Sequence, residues 1–236
     1  MDLRGVRVLL FDLDGTLLGL DIDAFVPVYF GALARRFDGI LPASTLVDAI
    51  LASTRTMISD RDPTRSNQEV FWSDFLPRVG LGRERLDPIF TAFYRDEFPS
   101  LAHMARPLPE ARKVLEHAVS RGYTLVLATN PLFPRVAIRE RMRWGGIDDI
   151  PFAFITAYED MHACKPQPEY YREILDVVGA RPEECLMVGN DVQEDLAASL
   201  LGIRTFLVEG PYLRDKGEPR YQPDARGKLL DLIHLL

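Results

Sequence analysis

Cysteine is scarce in this chain: Cys164 and Cys185 are the only two among 236 residues. Two thiols cannot build a disulfide framework and read as reduced cysteines. His162 lies near Cys164, but one His and one Cys fall short of a zinc set. No apolar stretch approaches membrane-spanning length, and no basic segment followed by an apolar one opens the chain. Positive charge is in deficit, with 28 Lys and Arg against 35 Asp and Glu for a net charge of −7. That balance argues against a nucleic-acid polymer or an anionic membrane as partner. Arg139, Arg141 and Arg143 are interrupted by Glu140 and spaced like a solvated helix face. The expectation is a soluble cytoplasmic protein, monomer or homodimer.

Ordinary globular composition is present, at 47% hydrophobic and 27% charged residues. The length suffices for one large domain or two smaller ones. Val6-Arg7-Val8-Leu9-Leu10 reads as a buried parallel strand, apolar on both faces. It runs into Phe11-Asp12-Leu13-Asp14-Gly15-Thr16. Two carboxylates at i and i+2 point to one side of an extended backbone. Like charges so placed repel unless a cation stands between them, so a metal site leads. A tight Asp-Gly turn is the plain alternative.

Helical spacing follows over 24–37, 44–57, 66–79 and 83–98, with breaks at Gly39 and Pro42, Asp62-Pro63, and Gly80 and Gly82. Strands and helices then alternate. Strands are expected at 123–128, 152–156, 184–189 and 203–208. Helices are expected at 109–121, 133–144, 168–178 and 191–201, the last with Gly202 as its C-cap, and a short one at 225–235. The stretch 210–223 reads as surface loop. This alternation predicts an α/β fold, a parallel sheet wound by helices. Residues 20–105 read as an all-α insertion hinged near Leu18-Gly19 and Arg106-Pro107, leaving 1–19 and 106–236 as the core.

Ligands in such sheets gather beyond the carboxyl ends of the strands. Those ends carry Asp12 and Asp14, then Thr129-Asn130, then Gly189-Asn190-Asp191 with Asp195 further on. Lys165-Pro166 precedes a helix. Each has a plainer reading alone. Asp191 with Glu194 makes a capping box, Thr129-Asn130-Pro131 can be helix-start punctuation, and Met161 and Met187 read as core. Jointly, at these positions, the plain readings weaken.

With these residues the chain resembles the haloacid dehalogenase (HAD) superfamily, in its phosphatase branch with a helical cap inserted after the first motif. Asp12-Leu13-Asp14-Gly15-Thr16-Leu17, Thr129-Asn130, Lys165-Pro166 and Gly189-Asn190-Asp191 with Asp195 match its four motifs in order. The resemblance implies a Rossmann-like core and a Mg²⁺-dependent phosphomonoester hydrolase acting on a small phosphorylated metabolite. It implies Asp12 as nucleophile forming an aspartyl-phosphate, Asp14 as acid and base, and Thr129, Asn130 and Lys165 on the phosphoryl group. Metal ligation falls to Asp12, Asp14 and Asp191, the last favoured over Asn190 because Mg²⁺ prefers anionic oxygen. Here Asn190, not an aspartate, directly follows Gly189, and Asn190 and Asp195 are the alternatives in or beside the metal shell.

A phosphomutase shares the same aspartate pair. A metal-independent dehalogenase is disfavoured by a carboxylate at Asp14, and a non-catalytic binding protein by the full set of chemical residues. In similar caps the segment between the second and third helices reaches the site, which here offers Arg61, Asp62 and Arg65 as specificity residues. A charged surface turn is the competing reading for them. Phe71 and Trp72, at helical spacing from Phe75, read as cap core.

Overall fold

The computed structural model describes residues 1–215 and 221–236. Strand β1 (Val8–Phe11) lies at the centre because its residues alternate between two apolar layers. Leu9 and Phe11 enter one cluster, Val8 and Leu10 the other. On one side β1 pairs in parallel with β4 (Thr124–Leu127), and on the other with β6 (Cys185–Gly189). Beyond β4 lies β5 (Phe152–Ile155). Beyond β6 lie β7 (Arg204–Val208) and β8 (Ala225–Gly227), so the parallel order is β5-β4-β1-β6-β7-β8. The chain moves outward from β1 in both directions, which leaves a crevice at the carboxyl end of β1.

Helices cover both faces, as a fully buried parallel sheet requires. Helix α5 (Pro109–Ser120) and α6 (Arg135–Trp144) pack against the Leu9 and Phe11 side through Ala111, Leu115, Ile138 and Met142. Helix α7 (Pro168–Val178) covers the opposite face with Tyr170, Tyr171, Ile174 and Leu175, one stripe at three-to-four spacing. Each such side chain, fully buried, stabilises the fold by roughly 1.5–3 kcal/mol. This is a Rossmann-like α/β fold.

Four helices stand between β2 (Leu18–Gly19) and β3 (Arg106–Pro107): α1 (Ile22–Arg36), α2 (Ala43–Ser59), α3 (Asn67–Val79) and α4 (Arg83–Asp96). A 3₁₀ turn, Phe98–Met104, completes the run. β2 and β3 pair antiparallel, Leu18 opposite Pro107 and Gly19 opposite Arg106, so the chain leaves and rejoins the sheet at one place. Helix α3 starts where Ser66 and Glu69 form a capping box and stops at left-handed Gly80. The helices are not isolated from the sheet layers. Phe98 stacks on Trp144 of α6 at 5.1 Å between ring centres, and Phe25 meets the same indole edge-on at 6.2 Å.

Two expected helices are corrected. Residues 191–201 do not form one helix: a turn at 191–195 leads into a 3₁₀ segment, Leu196–Leu201, ended by left-handed Gly202. The Tyr171 hydroxyl donates to the Glu194 carbonyl at 2.6 Å, taking an acceptor that a continuous helix would use. The expected helix at 225–235 begins as strand β8 and becomes 3₁₀ only over Leu229–His234. Three residues at a sheet edge are too few to show a period in the sequence. The expected loop at 210–223 falls in part on 216–220, outside the described residues. Among the described residues no helix is long and apolar enough to cross a membrane.

Candidate active site

The backbone amide of Asp12 continues the ladder of β1, donating to the Val188 carbonyl at 2.9 Å, so its side chain emerges at the strand end. The chain then turns at once: the Leu13 carbonyl accepts from the amides of Thr16, Leu17 and Leu18. Gly15 sits in that turn at φ +89°, and a Cβ there would collide with the Asn190 side chain. Glycine therefore permits both the turn and the close approach of the β6 terminus.

Lys165 joins two carboxylates. Its ammonium lies 2.9 Å from Asp12 Oδ1 and 2.6 Å from Asp195 Oδ1, and only 1% of the residue is exposed. Burial works to lower the lysine's proton affinity, yet Asp12 and Asp195 hold it well above its ordinary value. The same burial pushes the Asp12 carboxyl up against the pull of Lys165. Asp195 is pushed up to about 7, again by burial. Asn130 fixes the lysine's backbone, accepting from its amide at 3.2 Å and donating to its carbonyl at 3.5 Å. Gly189 makes room for Asp195, whose carboxylate a Cβ at 189 would strike.

Asp14 pairs with Arg141 of α6, which is 1% exposed and has its guanidinium 4.5 Å from the centre of the Phe133 ring. The reading of Arg139, Arg141 and Arg143 as one solvated face therefore fails for Arg141. Helical spacing held the signal: Arg141 follows buried Ala137 and Ile138 by four and three residues, on the apolar face of α6. Burial raises the Asp14 carboxyl above its usual range, with Arg141 opposing. Asp14 Oδ1 and Arg141 Nη2 are buried without a hydrogen-bond partner.

At the end of β6, Asn190 ties three segments together. Its Oδ1 accepts from the Thr16 hydroxyl at 2.9 Å, and its Nδ2 donates to the Tyr212 carbonyl at 2.6 Å. Asp191 Oδ1 accepts from the amides of Gln193 and Glu194, each at 2.8 Å, while Oδ2 lies 3.0 Å from Arg214 Nε. The turn-capping reading of Asp191 thus has its hydrogen bonds, although the cap serves a turn and not a helix.

A cavity of about 390 Å³ opens over these groups, walled by Asp12, Asp14, Thr129, Asn130, Asn190 and Asp191 on the sheet side. Arg141, Glu194 and Arg214 add charge that the sequence reading did not assign, and Ile22, Val26 and Pro27 of α1 face them. Lys165 and Asp195 are absent from the lining and bear on the cavity through Asp12. Burial pushes the Glu194 carboxyl up to about 7. Arg61, Asp62 and Arg65 are not in the wall. Arg61 donates to the Ile58 and Asp60 carbonyls, Asp62 accepts from the Thr64 amide, and Arg65 faces Asp60 at 3.9 Å. Their segment docks nearby, with the Asn67 amide on the Met161 carbonyl at 2.7 Å, four residues before Lys165.

Among the described residues no three His, Cys, Asp or Glu side chains gather as a ligand cluster. The donor set nevertheless fits a small hard dication. Mg²⁺ is usually held by one or two carboxylates with waters and substrate phosphates. Asp12 and Asp191 bring two such carboxylates to one cavity wall, with the Asn190 side chain between their strand ends.

The chain has relatives among known proteins. The chain is 26% identical over 247 residues to a phosphoglycolate phosphatase of Vibrio vulnificus (strain YJ016), covering 99% of this chain and 98% of that one. It is 19% identical over 232 residues to the pyrophosphatase PpaX of Halalkalibacterium halodurans, covering 97% of each. The crystal structure of a HAD phosphatase from Thermococcus onnurineus has the same fold, with a TM-score of 0.59 at 20% identity over 98% of this chain and 97% of that one. The model of the haloacid dehalogenase-like hydrolases matches residues 6–200, and the chain belongs to that family.

Proposed function

We propose that this hydrolase is a Mg²⁺-dependent phosphatase that cleaves a small phosphorylated metabolite through an aspartyl-phosphate on Asp12. Residues 20–105 act as a helical cap over a core of 1–19 and 106–236. The observation that carries the reading is the Lys165 ammonium, 2.9 Å from Asp12, with Asp14 two residues on in the same cavity wall. The phosphatases among its relatives support the same chemistry.

In this reading an Asp12 oxygen attacks phosphorus, the bond to the leaving oxygen breaks, and Asp14 delivers a proton to that oxygen. Water then attacks the aspartyl-phosphate, Asp14 takes its proton, and inorganic phosphate leaves with Asp12 restored. A carboxylate approaching a phosphoryl dianion meets repulsion of about 4 kcal/mol per charge pair at 4 Å and an effective dielectric near 20. Lys165 offsets part of it from behind the nucleophile. Thr129 donates to a phosphoryl oxygen, and Asn130 keeps Lys165 in place through its backbone. Asp12, the Asp14 carbonyl and Asn190 or Asp191 would hold Mg²⁺, which would supply positive charge to offset that of the phosphoryl group. Burial raises the Asp14 carboxyl above its usual range, the direction a proton donor needs, with Arg141 opposing.

Release of inorganic phosphate from a panel of phosphomonoesters tests the proposal. Release that requires Mg²⁺ and is lost in Asp12→Asn supports it; undiminished release by that variant refutes it.

A further inference from the structure

A second cavity of about 450 Å³ adjoins the one over Asp12 and is the larger of the two. Val26, Leu132 and Phe133 belong to both walls. All four long helices contribute, with Tyr29 from α1, Thr54 from α2, Trp72 from α3 and Phe90 from α4. Among the described residues eight of its twenty lining side chains are aromatic, in a chain only 10% aromatic. Helix-bundle interiors are normally close-packed, so a cleft of this size and lining is a departure. Leu51 and Val136, 39% and 49% exposed, stand in its wall, so apolar surface faces water there.

We propose that this chamber receives the leaving group of the substrate, and that the leaving group carries a planar aromatic ring. The inference rests on the phosphatase reading, which puts the phosphoryl group at Asp12. Val26, Leu132 and Phe133 stand between the two cavities, so the chamber lies next to that site on the side away from the sheet. Its charge excludes a second anion. Arg95 is already engaged by both oxygens of Asp96, at 2.6 and 2.7 Å, and the remaining charged lining residues, Asp87 and Glu159, are acidic. A two-carbon acid would leave the chamber unfilled and set a carboxylate beside these groups. Ring faces suit a planar partner by stacked or edge-on contact. The Tyr158 hydroxyl and the Gln68 amide, 3.4 Å apart in the same wall, offer polar atoms to a ring heteroatom.

The test compares alkyl phosphates of similar leaving-group basicity: 2-phenylethyl, n-hexyl and ethyl phosphate, with 2-phosphoglycolate alongside. The expected kcat/KM for 2-phenylethyl phosphate exceeds that for ethyl phosphate by at least tenfold, mainly through KM, with hexyl phosphate between and phosphoglycolate low. Thr54→Trp, which fills the second cavity and is absent from the lining of the first, is expected to abolish the preference of 2-phenylethyl over ethyl phosphate. Equal kcat/KM for the phenylethyl and ethyl esters overturns the proposal, as does a preference for hexyl phosphate or for phosphoglycolate. A Thr54→Trp effect of equal size on all esters also overturns it. Binding of 2-phenylethanol, followed by calorimetry, separates this failure from that of the phosphatase reading. If no ester is hydrolysed but the alcohol binds wild type and not Thr54→Trp, the chamber takes an aromatic ring but not as the leaving group of a phosphate ester, and it is the phosphatase reading that fails. No binding of the alcohol to either protein overturns the chamber.

Discussion

Arg141 and Asp14, 127 residues apart, form an ion pair beside the cavity, with the arginine almost wholly removed from solvent. Removing one member of a buried pair leaves an uncompensated charge, which typically costs about 3–5 kcal/mol. Arg141→Met is therefore expected to lower unfolding stability by about 3 kcal/mol or more in a denaturant titration. Adding Asp14→Asn should restore part of that loss. Strict additivity of the two substitutions in the double-mutant cycle would show that the pair carries no coupling.

Gly189→Ala addresses the space that Asp195 occupies. An added methyl meets the Asp195 carboxylate, which must then shift from Lys165 or from the Asp191 amide it accepts at 2.9 Å. Overpacking of this kind costs about 1–3 kcal/mol. Phosphatase activity should fall with it, because Lys165 loses one of its two anchors. A variant with wild-type melting temperature and turnover would contradict the described packing.

Glu194 ties stability to pH. Its carboxyl is pushed from an ordinary value of 4.5 up to about 7 by burial, with Asp191 and Asp195 adding to the effect and Lys165 opposing it. Between those two values the folded state binds more protons than the unfolded chain, so stability declines as pH rises through that window. Glu194→Gln should flatten this decline. Paired denaturation curves at pH 5 and pH 8, in chelator, measure it; an identical pH dependence in both proteins would refute the assignment.

Asn190→Asp tests the amide in the fourth motif. The Nδ2 donor to the Tyr212 carbonyl, at 2.6 Å, would become a carboxylate oxygen facing that carbonyl. A lost donor with a stranded acceptor costs about 1–3 kcal/mol. Thermal denaturation should show the loss, and loosened amide exchange should centre on residues 212–214, where the Arg214 amide bonds the Asn190 carbonyl. Unchanged protection there would mean that the amide does not hold this loop.

Much of this was legible in advance. The helix Asn67–Val79 was legible from apolar residues at helical spacing and the break at Gly80, and its start is fixed by the Ser66 and Glu69 capping box. Five of the six strands of the sheet follow from short apolar runs, and the gathering of Asp12, Asp14, Thr129, Asn130, Asn190 and Asp191 along one cavity wall from their places after β1, β4 and β6. The edge strand Ala225–Gly227 was not legible, because its identity comes from pairing with β7 and not from its own three residues. Arg61, Asp62 and Arg65 carry charge of the right kind, yet their segment folds onto its own backbone and leaves the cavity wall to α1.

Local sequence determined the α/β order, the helix caps and the set of groups at the carboxyl ends of the strands, since period, capping and turn chemistry act over a few residues. Tertiary structure alone decided which charge meets which. Lys165 reaches Asp195 across 30 positions, Arg141 reaches Asp14 across 127, and Asn190 meets Thr16 across 174. A carboxylate or an amide carries no local signal naming its partner. That choice is made by the burial that removes water from the site, after which each polar group must bond to whatever the packed sheet brings within reach.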